Sequence, residues 1–264
     1  MAKKTNRSTG SNNALLVNII QQILAMLPAK VRPIVALLIV IAAALFGWLQ
    51  PTEEVPSTGD ETVQTTGEPA GGNKKIESFN TAKHLLEDQV YNDHRTTFYC
   101  NASFDANKNI KLPKGFRTPE HEERAKRVEW EHVVPAEHFG RSFTEWREGA
   151  EVCRESDGTS YKGRKCAEKA SKEYRLMQAD LYNLYPAIGA VNAMRLNYYY
   201  DELPNAKVTF GTCPMKIEGE KAEPPEYTRG AIARTTLYMA QQYPRYRLSD
   251  QQRKLMEAWN KMYA

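Results

Sequence analysis

The chain has 264 residues with 41% hydrophobic and 26% charged residues, enough for one folded domain with appendages and ordinary for a globular protein. A formal net charge of +4 excludes a broadly polycationic nucleic-acid binder, so any polyanion contact has to come from a local patch. Four cysteines with no CxxC spacing argue against a zinc module.

Residues 1–32 are basic, with Lys3, Lys4, Arg7, Lys30 and Arg32, and contain the apolar but polar-interrupted stretch Ala14 to Leu27. That stretch reads as an amphipathic helix on a membrane surface or a helix packing on a neighbour. Ile34 to Leu49 is an uncharged apolar run, slightly short of the about 20 residues a spanning helix wants, and flanking residues extend it to 33–50. Basic residues before the run and Glu53 and Glu54 after it predict a cytoplasmic N-terminus and an exported remainder. An uncleaved single-pass membrane anchor is the favoured expectation. A cleaved signal followed by secretion is the alternative, disfavoured because a signal has a shorter basic region, and a buried helix is the third reading. Residues 51–77 lack apolar periodicity and are rich in Thr, Gly, Glu and Pro, predicting a disordered linker.

A domain is predicted over 78–264. Asn80 is placed to cap a first helix carrying Leu85, Leu86 and Val90 on one face. Thr96 to Cys100 is β-branched and aromatic, a predicted short strand; 105–118 is loop-like. Val128 to Val134 is a second predicted strand, ending at Pro135. The densely charged 145–175 reads as a solvated loop with some helix. Pro186 suits the first turn of a helix running to about Asn197. Thr228 is placed to cap another helix, with Ile232, Leu237 and Ala240 inward and an end before Pro244. Ser249 with Gln252 forms a capping box for a last helix whose apolar stripe is Leu255, Met256, Trp259 and Met262. Many helices and few short strands predict an α+β domain.

Cys100, Cys153, Cys166 and Cys213 all follow the apolar run, and an even count in an exported domain predicts two disulfides. Three pairings are possible, and the residues alone do not choose. A Cys153–Cys166 bridge would close a short polar loop. Chemistry concentrates in Glu129-Trp130-Glu131-His132-Val133-Val134-Pro135-Ala136, where a carboxylate adjoins an imidazole. One hard oxygen ligand beside one near-neutral base suits metal-assisted hydrolysis. A second cluster, Met177 to Tyr200, puts Asn192 and Arg195 on one helical face, and an amide oxygen is a neutral ligand for a hard divalent cation.

EWEHVVPA followed about forty residues later by ADLYNLYPAIGAVNAMRLNY resembles the bacterial endonuclease I family of periplasmic and secreted non-specific nucleases. The FYC, RGAIARTTLYM and LMEAWNKMY segments look like that family too, so the resemblance covers about 80–264. It implies a ββα-metal (His-Me finger) nuclease domain. His132 matches the family's general base, Glu131 and Asn192 its metal ligands, and Arg164 an arginine on the cleaved phosphate. Cys153 with Cys166 matches a family disulfide, leaving Cys100 with Cys213. Mg²⁺ is the implied cofactor, with Mn²⁺ or Ca²⁺ as substitutes, and the implied activity is DNA and also RNA hydrolysis leaving 5′-phosphate ends. Tyr182 stands where the family usually has His, and the family usually continues past the WNKMY segment. These departures motivate the alternative of a catalytically silent, membrane-anchored nucleic-acid-binding protein on the same fold.

The roles are chemically coherent. Mg²⁺ with two protein ligands keeps positions for water and phosphate. His132, with an ordinary pKa near 6.5, accepts a proton at neutral pH. Arg164 grips phosphate oxygens in bidentate fashion. Each residue alone has a plainer meaning: a structural histidine, a capping asparagine, a solvated arginine among Lys162, Lys165, Lys169 and Lys172. His121 and His138 with His132 match no zinc-binding spacing. Nothing in the sequence assigns an oligomeric state.

Overall fold

The computed structural model describes residues 71–263. The basic segment 1–32, the anchor 33–50 and most of the linker lie outside the described residues. Among the described residues no helix is long and apolar enough to cross a membrane.

The end of the segment expected as linker is part of the fold. The Asn73 backbone N–H donates to the Tyr243 hydroxyl at 2.7 Å, and its side-chain amide donates to the Ile76 and Leu176 carbonyls. Glu77 takes two hydrogen bonds from Arg175 at 2.9 and 3.0 Å. Low hydropathy hid this attachment because it is made by polar atoms.

Helix α1 spans Phe79–Leu85 and continues as a wider π turn over Leu86–Val90. Its cap is Ser78, whose hydroxyl accepts from the Thr81 N–H, rather than Asn80. Thr96 to Cys100 does not form the expected strand. The Thr97 hydroxyl accepts from the Ala102 N–H and Asn101 takes φ +49°, so the chain turns back on itself and only Thr96 bridges to Ser103. Strands β1 (Ser103–Phe104) and β2 (Ile110–Lys111) pair in a minimal hairpin, and the short helix α2 covers Glu122–Ala125.

Strand β3 runs Val128–His132, two residues shorter than expected, and pairs antiparallel with β4 (Leu184–Ile188). Pro186 therefore lies in a strand, opposite Trp130. A two-stranded ribbon has only edges, so a proline without an N–H is tolerated there, and its carbonyl still accepts from the Phe98 N–H at 2.7 Å. The helix expected from Pro186 begins instead at Gly189, as α7 (Gly189–Arg195). Between the two strands come α3 (Ala136–Gly140), α4 (Thr144–Arg147), α5 (Arg164–Ala170) and α6 (Lys172–Gln178), so the charged 145–175 region is largely helical.

The three-stranded sheet β5 (Tyr199–Tyr200), β6 (Lys216–Glu218) and β7 (Lys221–Glu223) has β7 at its centre. Helix α8 spans Glu226–Gln242 and starts two residues before Thr228, whose hydroxyl donates to the Pro225 carbonyl. Helix α9 (Asp250–Met262) starts at the expected Ser249 cap. Met256 and Trp259 are buried, whereas Met262 is 67% exposed because the helix ends beyond the core. The main core joins Val133, Ile188, Val191, Phe210, Ile232 and Trp259 across the β3–β4 ribbon and helices α7 to α9. A second cluster, around Phe139, Phe143, Tyr174 and Tyr243, anchors α3, α6 and the end of α8. A third cluster packs Ala82 and Leu86 of α1 on Trp130 and Leu184, so the ribbon has residues in this cluster and in the main core. Cys100 joins Cys213 and Cys153 joins Cys166, the pairing the family resemblance implies.

Candidate active site

Strand β3, the start of α5 and helix α7 converge on a cavity of about 690 Å³. Phe79, Glu129, Glu131, His132, Arg164 and Asn192 are among its lining residues. The four residues singled out from sequence, His132, Arg164, Glu131 and Asn192, are therefore brought together from positions up to 61 apart in the chain.

The approach of α7 to β3 depends on Gly189. A Cβ there would stand 2.4 Å from the Arg124 carbonyl oxygen and 2.9 Å from Glu129 Oε1. Only glycine lets the helix start this close, which carries Asn192 to the ribbon. The Asn192 amide nitrogen then donates to Glu129 Oε2 at 2.9 Å. A carboxylate only accepts, so this bond sets which end of the amide is nitrogen and leaves Oδ1 outside it. Glu129 also receives Arg124 at 2.5 and 2.9 Å and Arg127 at 3.3 Å. Partial burial works to raise its carboxyl, but the bonds from Arg124 and Asn192 outweigh it and hold Glu129 below the ordinary glutamate range.

Glu131 lies two residues along the same strand and is 2% exposed. Its Oε1 accepts from the Tyr99 hydroxyl at 2.7 Å and faces Arg195 Nη1 at 3.0 Å, so both contacts use one oxygen. Burial pushes this carboxyl above the ordinary glutamate range, outweighing the pull of Arg195 and Tyr99. Arg195 also donates to the His132 and Val133 carbonyls at 2.9 and 2.7 Å, tying α7 to the end of β3.

His132 is buried, with Nε2 at 2.8 Å from the Gln178 carbonyl oxygen. A carbonyl cannot donate, so Nε2 carries the proton and Nδ1 holds the lone pair of the neutral ring. Burial, reinforced by the positive charges of Arg164 and Arg195, lowers the imidazole to about 3, against the Gln178 hydrogen bond. The ring is neutral at pH 7. Phe79 lies against it, centroids 4.9 Å apart.

Arg164 is the first residue of α5, set by Gly163, whose φ of +80° only glycine adopts without strain. The Cys153–Cys166 bridge pins this helix two residues further on. Among the described residues no carboxylate lies within ion-pair distance of Arg164. Tyr182 is 69% exposed against Tyr238 and does not line the cavity, so the departure at this position leaves the cavity wall intact. His121 and His138 do not join His132: neither lines the cavity, and His138 bonds the Asn197 carbonyl instead.

Sequence reasoning passed over Glu129, Arg195 and Phe79 as site residues. Glu129 shares the face of Glu131 by the two-residue period of a strand, a signal present in the octapeptide. Phe79 carried none, because its contact spans more than fifty residues.

Carboxylate and amide oxygens, a neutral imidazole and a guanidinium with no carboxylate partner among the described residues meet in one cleft, the kinds of group that hydrolysis of an anionic ester uses. The family model of endonuclease I matches residues 73–264. Similar proteins include "Endonuclease-1" of Buchnera aphidicola subsp. Acyrthosiphon pisum, 36% identical, covering 72% of this chain and 72% of its own length. An "Extracellular deoxyribonuclease" of Aeromonas hydrophila is 38% identical over 71% of this chain and 78% of its own. A "Periplasmic deoxyribonuclease" of the same organism is 36% identical over 72% and 76%. The chain belongs to the endonuclease I family and is a nuclease.

Proposed function

We propose that this protein is a divalent-metal-dependent, largely sequence-non-specific endonuclease that hydrolyses DNA, and RNA as well, leaving 5′-phosphate ends. The observation that carries it is the meeting in one cavity of the neutral His132, the amide of Asn192 turned by Glu129, and Arg164, which has no carboxylate partner among the described residues. The donor set fits a hard cation: Glu131 and Asn192 offer oxygens, and among the described residues no Cys or Met lines the cavity. Mg²⁺ keeps most of its waters, so two protein oxygens suffice to hold it. Glu131 and Asn192 would hold it, and when bound it supplies Lewis-acid stabilisation of charge on the phosphate and the leaving oxygen.

The chain's own residues divide the remaining work. His132 Nδ1 takes the proton of the attacking water, with its tautomer held by Gln178. Arg164 binds the phosphate being cut and stabilises its growing negative charge. Contacts confined to the backbone carry no sequence information. The adjacency of β3, β4 and α7 supports the ββα-metal reading of the fold.

The names of the Aeromonas relatives and the two disulfides support action outside the cytoplasm. We retain the 33–50 run as an uncleaved anchor with the nuclease domain exported. Reporter fusions after residue 77 test it: a reporter active only in the cytoplasm working there overturns that topology. Plasmid digestion by the purified protein tests the chemistry. Cleavage is expected with Mg²⁺ and abolished by EDTA, and His132→Ala is expected to lose at least about a hundred-fold in kcat. A plasmid left intact by the parent, or cut equally fast by His132→Ala, overturns the assignment.

A further inference from the structure

The cavity extends beyond the four site residues along α1. There Lys83 and Arg164 lie against one aromatic ring: Lys83 Nζ is 5.2 Å, and the Arg164 guanidinium carbon 5.4 Å, from the Phe79 centroid. The same ring packs on His132. Among the described residues neither cation has a carboxylate within ion-pair distance. The nearby Lys108 and His84, by contrast, are both occupied by Glu87, at 3.0 and 3.8 Å. Glu87, Glu129 and Glu131 also face this cavity, and each already has a basic partner.

Two unneutralised cations on the wall of a cleft call for two anionic charges. Successive phosphates of one strand, set about 3.4 Å apart along a duplex axis, supply them at short range. An aromatic ring that both cations touch limits where they stand, at an attraction of about 0.5–1 kcal/mol each when exposed.

Resting on the nuclease reading, we propose that Lys83 is a second phosphate contact. It grips a phosphate next to the one held by Arg164, and Phe79 positions both cations and the imidazole of His132. The occupant is a nucleic-acid strand at least two phosphates long. α1 is thereby part of the substrate groove, and its ring links binding to the catalytic base.

Equilibrium binding tests this without requiring cleavage. Fluorescence anisotropy of a labelled single-stranded DNA of about twelve nucleotides would be followed in EDTA across a NaCl series, using the full chain. Lys83→Gln is expected to weaken binding about five-fold at low salt. It should flatten the slope of log K against log[NaCl] by about 0.7, the share of one phosphate on a single strand. Lys83→Arg should restore the slope. Phe79→Leu should weaken binding and also lower kcat, because it releases Arg164 and His132 together. Lys261→Gln, on the exposed side of α9, controls for bulk charge. An unchanged slope for Lys83→Gln, or an equal change for Lys261→Gln, overturns the proposal. Failure of the parent to cut plasmid while these slopes hold would sink the nuclease reading alone.

Discussion

Glu129 and Glu131 face the same side of β3, yet their neighbours divide the labour between them. Glu131 is buried against Arg195 and Tyr99, whereas Glu129 bridges Arg124 and the Asn192 amide. If Glu129 turns the Asn192 oxygen toward a cation, Glu129→Gln can hydrogen-bond the amide either way round and loses that control. The Mg²⁺ concentration for half-maximal activity should then rise about ten- to a hundred-fold. A metal titration with parent-like midpoint would remove the orienting role. His138 offers a second test at this scale. Burial and the charge of Arg195 lower its imidazole to about 4. Folded, it binds fewer protons than the unfolded chain, whose histidine titrates near 6.5. Its contribution to stability is therefore complete above pH 6.5 and is lost as pH falls from 6.5 through about 4. His138→Phe, which can still stack on Tyr199, should show a shallower loss of unfolding free energy in that window, by up to about one proton. Denaturant titrations at a series of pH values measure it, and matching slopes would refute it.

At the scale of elements, two attachments made by few residues carry more than their length implies. The Cys153–Cys166 bridge closes a short loop and ends it two residues after Arg164. Replacing both cysteines by Ala should cost about 3 kcal/mol in the chain-entropy account. It should also raise KM, because α5 would no longer present Arg164 in one place. Equal KM in the variant and parent would show that Gly163 and packing suffice. The segment around Asn73 is the other attachment. Its backbone N–H, its amide and the buried Asp180, which accepts from Tyr238 and Tyr243, form one polar clasp. Asn73→Ala leaves the Leu176 and Ile76 carbonyls without that donor and should destabilise the fold by about 1–3 kcal/mol. Thermal unfolding reports it, and an unchanged Tm would place the segment outside the cooperative unit.

Over the whole molecule, the elements legible in the sequence were those whose cause is local. The Ser249 cap, the end of α8 before Pro244 and the strand at Trp130 all appear as expected. The misreadings have one origin. Pro186 looked like a helix start until β3 supplied a partner strand, and Thr96 to Cys100 looked like a strand until the Thr97 hydroxyl turned it. Asn73 looked like linker because polar attachment leaves no hydropathy trace.

The Glu131–His132 pair and the Asn192 amide were legible from residue type, whereas Arg164, and the roles given to all four residues, came only through the resemblance to the endonuclease I family. The α+β class was legible too, from the balance of helical and strand periods. Tertiary structure alone decided the tautomer of His132, the end of Asn192 that meets Glu129, the oxygen of Glu131 already taken, and the ring against which Lys83 and Arg164 lie. Those are contacts between residues far apart in the chain. They depend on Gly189 letting a helix approach a strand and on the main core and the α1 cluster both holding the ribbon, and no local pattern encodes such an approach.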